Sequence, residues 1–111
     1  MASKSNSPNN TFTSKQQFDI LYQSMCSDDI EDLVCHLEVG YNPNSTNEEG
    51  ANLLMIAVNK RSIELVRLLL DYGADPNVRP FYWTPLEQAK RDKERGIQEL
   101  LKKYGANEFV P

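Results

Sequence analysis

Asn52-Leu53-Leu54-Met55-Ile56-Ala57, followed by Ile63-Glu64-Leu65-Val66-Arg67-Leu68-Leu69-Leu70 and then by Tyr72-Gly73-Ala74-Asp75-Pro76-Asn77, is the stretch on which the fold turns. Asn52 carries a side-chain oxygen that can accept from the free N–H groups opening a helix. The apolar run after it reads as a short first helix. Ile63, Val66, Leu69 and Leu70 recur at helical spacing and define a second helix, which Gly73 ends by taking up the left-handed turn that other residues resist. A helix, a turn, a helix and a glycine exit form a unit too thin to bury its own apolar face. Stacking against similar units has to supply the core.

Such units lie on both sides. His36-Leu37-Glu38-Val39-Gly40, Leu69-Leu70-Asp71-Tyr72-Gly73 and Leu101-Lys102-Lys103-Tyr104-Gly105 match at spacings of 33 and 32 residues. Asn42-Pro43-Asn44 aligns with Asp75-Pro76-Asn77 at the same spacing of 33. The register makes Asp19, Asn52 and Thr84 equivalent, so Asp19 is expected to open a first helix containing Ile20-Leu21-Tyr22. Thr84 is expected to open another with Leu86 and Ala89, where Pro85 suits the first helical position because its missing N–H costs no hydrogen bond there. Second helices are expected around Ile30, Leu33, Val34 and Leu37, and around Ile97, Leu100 and Leu101.

The expected organisation is a solvated leader over residues 1–15, a repeat domain over 16–107 and a tail over 108–111. The units fall at about 16–48, 49–80 and 81–107. The leader is rich in Ser and Asn and has too few apolar groups to order itself. In the tail, Phe109 and Val110 either fold over the last helix or fray.

The chain has 111 residues, 40% of them hydrophobic and 25% charged, which is one ordinary small domain. Its net charge of -4 disfavours nucleic acid, whose phosphates need clustered Lys and Arg. The acidity belongs to the front half, where residues 1–50 carry a net -6 against +2 over 51–111. Cys26 and Cys35 are too few for a disulfide framework, and neither a signal peptide nor an apolar run of membrane-spanning length is present, so a cytoplasmic protein is expected. Asn9 and Asn44 begin Asn-x-Ser/Thr triplets that this location leaves as chance matches.

The full unit resembles an ankyrin repeat, and Thr84-Pro85-Leu86 matches the tripeptide that opens that family's repeats. The resemblance covers residues 16–107 and implies an all-α, ankyrin-type solenoid of stacked helix-turn-helix repeats. Gln23 and Ser24 replace small residues of the family's pattern, and Asp32 and His36 interrupt the apolar stripe, which reads as an N-terminal cap with a polar outer side. Lys90, Gln98, Lys102 and Lys103 polarise the far face as a terminal repeat requires.

Ankyrin-like proteins usually hold partners with the turns between repeats and the concave face of the first helices. That resemblance marks Glu48 and Glu49 in the first turn, and Arg79, Phe81, Tyr82 and Trp83 in the second. Tyr82 stands where the preceding turn has Gly50, which implies a different turn shape. At least one of the three rings is expected to face solvent as an interface anchor, the alternative being that Trp83 packs beside the next helix and Phe81 fills a gap. Asn59, Lys60, Arg91 and Asp92, at the ends of the first helices, complete the expected surface. The implied partner is a protein with a basic surface, held by a chain that is monomeric when unbound. Inhibition or tethering follows, as by an immunity protein, an antitoxin or a pathogen or phage inhibitor; the alternative is a structural protein that self-associates.

Catalytic chemistry is not expected. His36 is the sole histidine and its neighbour Cys35 points about 100° away on a helix, so the pair does not share a metal. Phosphate loops, dinucleotide fingerprints and Gly-x-Ser-x-Gly elbows are absent from the sequence. No cofactor is expected.

Overall fold

A computed structural model describes residues 13–78 and 84–106. These form six helices: α1 (Ser14–Cys26), α2 (Ile30–Glu38), α3 (Leu53–Asn59), α4 (Ile63–Asp71), α5 (Pro85–Arg91) and α6 (Arg95–Lys103). Each first helix packs on the second helix of its own unit, α3 lies between α1 and α5, and α4 packs against α6. The result is an all-α, ankyrin-type solenoid of helix-turn-helix layers.

The core is one seam. Leu21, Met25, Leu33, Leu53, Leu54, Val58, Leu65, Val66, Leu69, Leu86, Ile97 and Leu101 are all fully buried, and they come from every helix of the stack. The repeat register aligns the small residues Ser24, Ala57 and Ala89 of the first helices, each buried. Ser24 therefore belongs to the core rather than to a polar outer side. Its hydroxyl is accommodated by the Ile20 carbonyl at 3.5 Å and by the Asp32 carboxylate, which accepts its hydrogen. That bond explains why Asp32 can interrupt the apolar stripe of α2.

The helix starts follow local chemistry. Asn52 Oδ1 accepts from the Met55 N–H at 2.9 Å, and Thr84 and Glu87 cap each other reciprocally at 3.2 and 2.8 Å. Asp19 does not open α1. It sits inside the helix, exposed, 3.3 Å from Lys15, while Thr13 is the cap: its hydroxyl accepts from Gln16 N at 3.1 Å and Gln16 Oε1 accepts from Thr13 N at 2.8 Å. Thr13-x-x-Gln16 is a capping box upstream of the repeat's own start, and no breaker separates it from the apolar run, so the helix nucleates early. Residues 13–15, expected as leader, thus belong to the first helix.

The helix exits repeat as well. Gly40, Gly73 and Gly105 have φ of 109°, 100° and 102°, the left-handed turn their spacing predicts. A second set, not expected, lies between the paired helices: Asp28, Arg61 and Lys93 have φ of 55°, 59° and 59°. These residues carry a Cβ into a backbone region that disfavours it. Lys93→Gly is expected to raise the unfolding free energy by about 0.5–1 kcal/mol, the relief of left-handed strain less the added freedom of the unfolded chain, measured by urea denaturation. Ser45, 1% exposed, has a buried hydroxyl with no hydrogen-bond partner among the described residues. Ser45→Ala is expected to stabilise by about 1 kcal/mol in the same assay.

Candidate protein-binding surface

The segment between α2 and α3 is built as a rigid finger. Thr46 and Asn52 form an antiparallel bridge, with Asn47 N donating to the Ala51 carbonyl at 3.3 Å. The tip closes through Gly50 N to the Asn47 carbonyl at 3.0 Å, and Gly50 takes the positive φ of 84° that the turn requires. Asn47 Oδ1 also accepts from the N–H groups of Glu49 and Ala51, at 2.9 and 3.0 Å. One short side chain thus fixes the backbone of the tip, and Glu48 and Glu49 are exposed on it.

The finger is also held at its base. Thr46 N donates to Ser14 Oγ at 3.2 Å, so the first turn of the elongated α1 props the finger from the side. Asn42 N donates to Gln17 Oε1 at 2.8 Å. Asn44 reaches the following unit, donating to the Gly73 carbonyl at 3.1 Å and accepting from Asp75 N at 2.8 Å; Asn77 repeats the first bond to Gly105 at 3.1 Å. The Asn44 amide is thus a stitch between layers.

Asn59, Lys60 and Arg91 are exposed at the far ends of α3 and α5. A seven-residue helix is about 10 Å long, so they form a second rim at the opposite end of these helices from the finger. Asp92 is held within that rim: it accepts from Gln88 Nε2 at 3.1 Å and lies 3.6 Å from Arg61. Arg61 also lies 3.8 Å from Glu94, so it bridges the second and third units. Arg79, Phe81, Tyr82 and Trp83 lie outside the described residues. Among the described residues no cavity opens, and no group of three or more His, Cys, Asp or Glu side chains converges as metal ligands. None of the helices described is long and apolar enough to cross a membrane.

Residues 38–89 match the family described as ankyrin repeats (many copies). An ankyrin repeat protein of fowlpox virus is 38% identical over 87 residues, covering 77% of this chain. A Rickettsia felis ankyrin repeat protein is 33% identical over 82 residues, 66% of this chain. This chain belongs to the ankyrin repeat family. It spans only 12% and 36% of the length of those two relatives, and 7% of a glycerophosphocholine phosphodiesterase of Schizosaccharomyces pombe that is 34% identical over 80 residues.

A tyrosine ladder fixes the spacing of the ankyrin layers behind the fingers. Tyr72 donates to Glu38 Oε2 at 3.1 Å, and one repeat later Tyr104 donates to Asp71. This pairing of a tyrosine with an acid one repeat back is periodic in the sequence, although helical spacing and turn residues do not reveal it. Both phenols titrate above the usual value of 10.0: Tyr72 through desolvation and then its bond to Glu38, Tyr104 chiefly through its bond to Asp71. Because folding raises these values, their stabilisation is fully present below about pH 10 and is lost as pH rises through the folded-state values. Tyr72→Phe and Tyr104→Phe are expected to make stability less steep with pH above about 10, measured by denaturant midpoints between neutral and alkaline pH.

Proposed function

We propose that the chain is a non-catalytic binding module that grips a protein partner with its inter-repeat fingers and the concave face of its first helices. The observation that carries this reading is the first finger, where two carboxylates stand exposed on a backbone fixed by Asn47 and propped by Ser14. A pre-set loop loses little entropy on binding, so its contacts convert more fully into affinity. Ankyrin repeats generally mediate protein–protein interaction, which supports the same use here.

Two adjacent carboxylates suit a basic protein surface rather than nucleic acid or a membrane, and Lys or Arg side chains are the matching groups. The rings of Phe81, Tyr82 and Trp83 add cation-π and apolar anchors from the second turn, with Arg79 beside them and Asn59, Lys60, Arg91 and Asp92 at the far rim. A single copy engages the partner in the cytoplasm and blocks or tethers it, as an immunity protein, an antitoxin or a pathogen or phage inhibitor would. Relatives in a virus and a bacterium are compatible with that use.

The test is affinity capture followed by titration of the captured partner. Glu48→Lys with Glu49→Lys is expected to weaken binding at least tenfold and to flatten its salt dependence, because two attractive charges become repulsive. Phe81→Ala, Tyr82→Ala and Trp83→Ala together are expected to speed dissociation by about tenfold or more. Equal capture by both variants and the natural chain removes the turns from the interface, and turnover in a broad substrate screen removes the non-catalytic reading.

A further inference from the structure

The contacts between units show which positions a neighbouring layer occupies. Arg61 of the second unit meets Asp92 and Glu94 of the third, and Ile63 lies against Gly96, where an added Cβ would come within 3.1 Å of its Cδ1. The carboxylates Glu38 and Asp71 receive Tyr72 and Tyr104 of the next unit. Carried one unit forward by the repeat spacing, the positions of Arg61, Ile63 and Asp71 become Lys93, Arg95 and Lys103. All three are exposed, and all three are basic.

The receiving positions, carried back to the first unit, are Ser27 and Asp29 for Asp92 and Glu94, Glu31 for Gly96, and Val39 for the two tyrosines. Asp29 and Glu31 are exposed acids. Val39 is 49% exposed, although the tyrosines at its register position are partly covered by a preceding layer. The wider charge agrees: residues 14–38 carry six carboxylates and one lysine, whereas 85–103 carry six basic side chains and four carboxylates. Opposed signs thus fall at two of the contacts made when one layer follows another, Lys93 against Asp29 and Arg95 against Glu31, while Lys103 falls against Val39.

We propose that the basic outer face of α5 and α6 receives the acidic outer face of α1 and α2 from a second copy, so that chains stack head to tail in the register of the solenoid itself. In that arrangement Lys93 meets Asp29 as Arg61 meets Glu94, and Arg95 meets Glu31 where Ile63 meets Gly96. The contact is heterologous, so each added copy leaves a fresh end and the assembly grows open-ended. Exposed ion pairs are individually weak, so the association belongs to high protein concentration and low salt, and it leaves the fingers free.

Sedimentation velocity of the full chain over a concentration series tests this. At about 0.02 M salt the average mass is expected to rise with concentration past a dimer, and association is expected to weaken about tenfold or more at about 0.5 M salt. Arg95→Glu and Glu31→Arg are each expected to abolish the growth. The chain carrying both, and an equimolar mixture of Lys93→Glu with Asp29→Lys chains, restore opposite charge at the contact: the double swap is expected to recover open-ended growth, and the mixture to grow open-endedly as an array in which the two chains alternate, although each alone stays monomeric. Far-UV circular dichroism melts establish that every variant is folded. A natural chain that stays monomeric at low salt, a closed dimer, or a double swap that stays monomeric while folded would overturn the proposal.

Discussion

A helix pair of this size cannot bury its own apolar stripe, and everything else in the structure depends on how that surface is shared. Leu53, Leu54, Leu65, Val66 and Leu69 of the middle pair are fully enclosed because layers lie on both sides of them. Burial at about 25 cal/mol per Å² of apolar surface is the main favourable term, and here it is contributed by neighbours rather than by the unit itself. The small residues Ser24, Ala57 and Ala89 let the first helices approach closely enough for that sharing.

Polar bonds then set the spacing that burial alone leaves loose. On the finger side Asn44 and Asn77 reach into the next layer; behind it Tyr72 and Tyr104 do the same in the opposite direction; at the far rim Arg61 joins Asp92 and Glu94. Exposed bonds and ion pairs of this kind are individually modest. Their value lies in geometry, because each fixes one edge of a layer against the next. The layers in turn anchor, through Ser14 and Gln17, the base of the finger that carries the carboxylates proposed as a binding surface.

The outer faces of the first and third units differ from the faces that meet inside the stack. At the positions that interior layers use for contact, the first unit carries the acids Asp29 and Glu31 beside Ser27 and Val39, and the third carries Lys93, Arg95 and Lys103. Charge solvates an outer face, and opposite charge on the two outer faces is the basis of the proposed head-to-tail stacking.

The sequence by itself determined the layers and their exits. Glycines at 40, 73 and 105, oxygen-bearing caps at Asn52 and Thr84, and helical spacing between them are local features whose physics needs no partner to be read. The start of α1 was equally local, written in Thr13-x-x-Gln16, but the repeat register pointed to Asp19 instead. Tertiary structure decided which side chains are spent inside the stack. It made Ser24 a core residue by supplying Asp32 as acceptor, drew Asp92 between Arg61 and Gln88, and turned Asn44 from a surface triplet into a stitch. Such assignments depend on which residues lie opposite across a layer about 33 residues away, and that is fixed only when neighbouring pairs settle into contact.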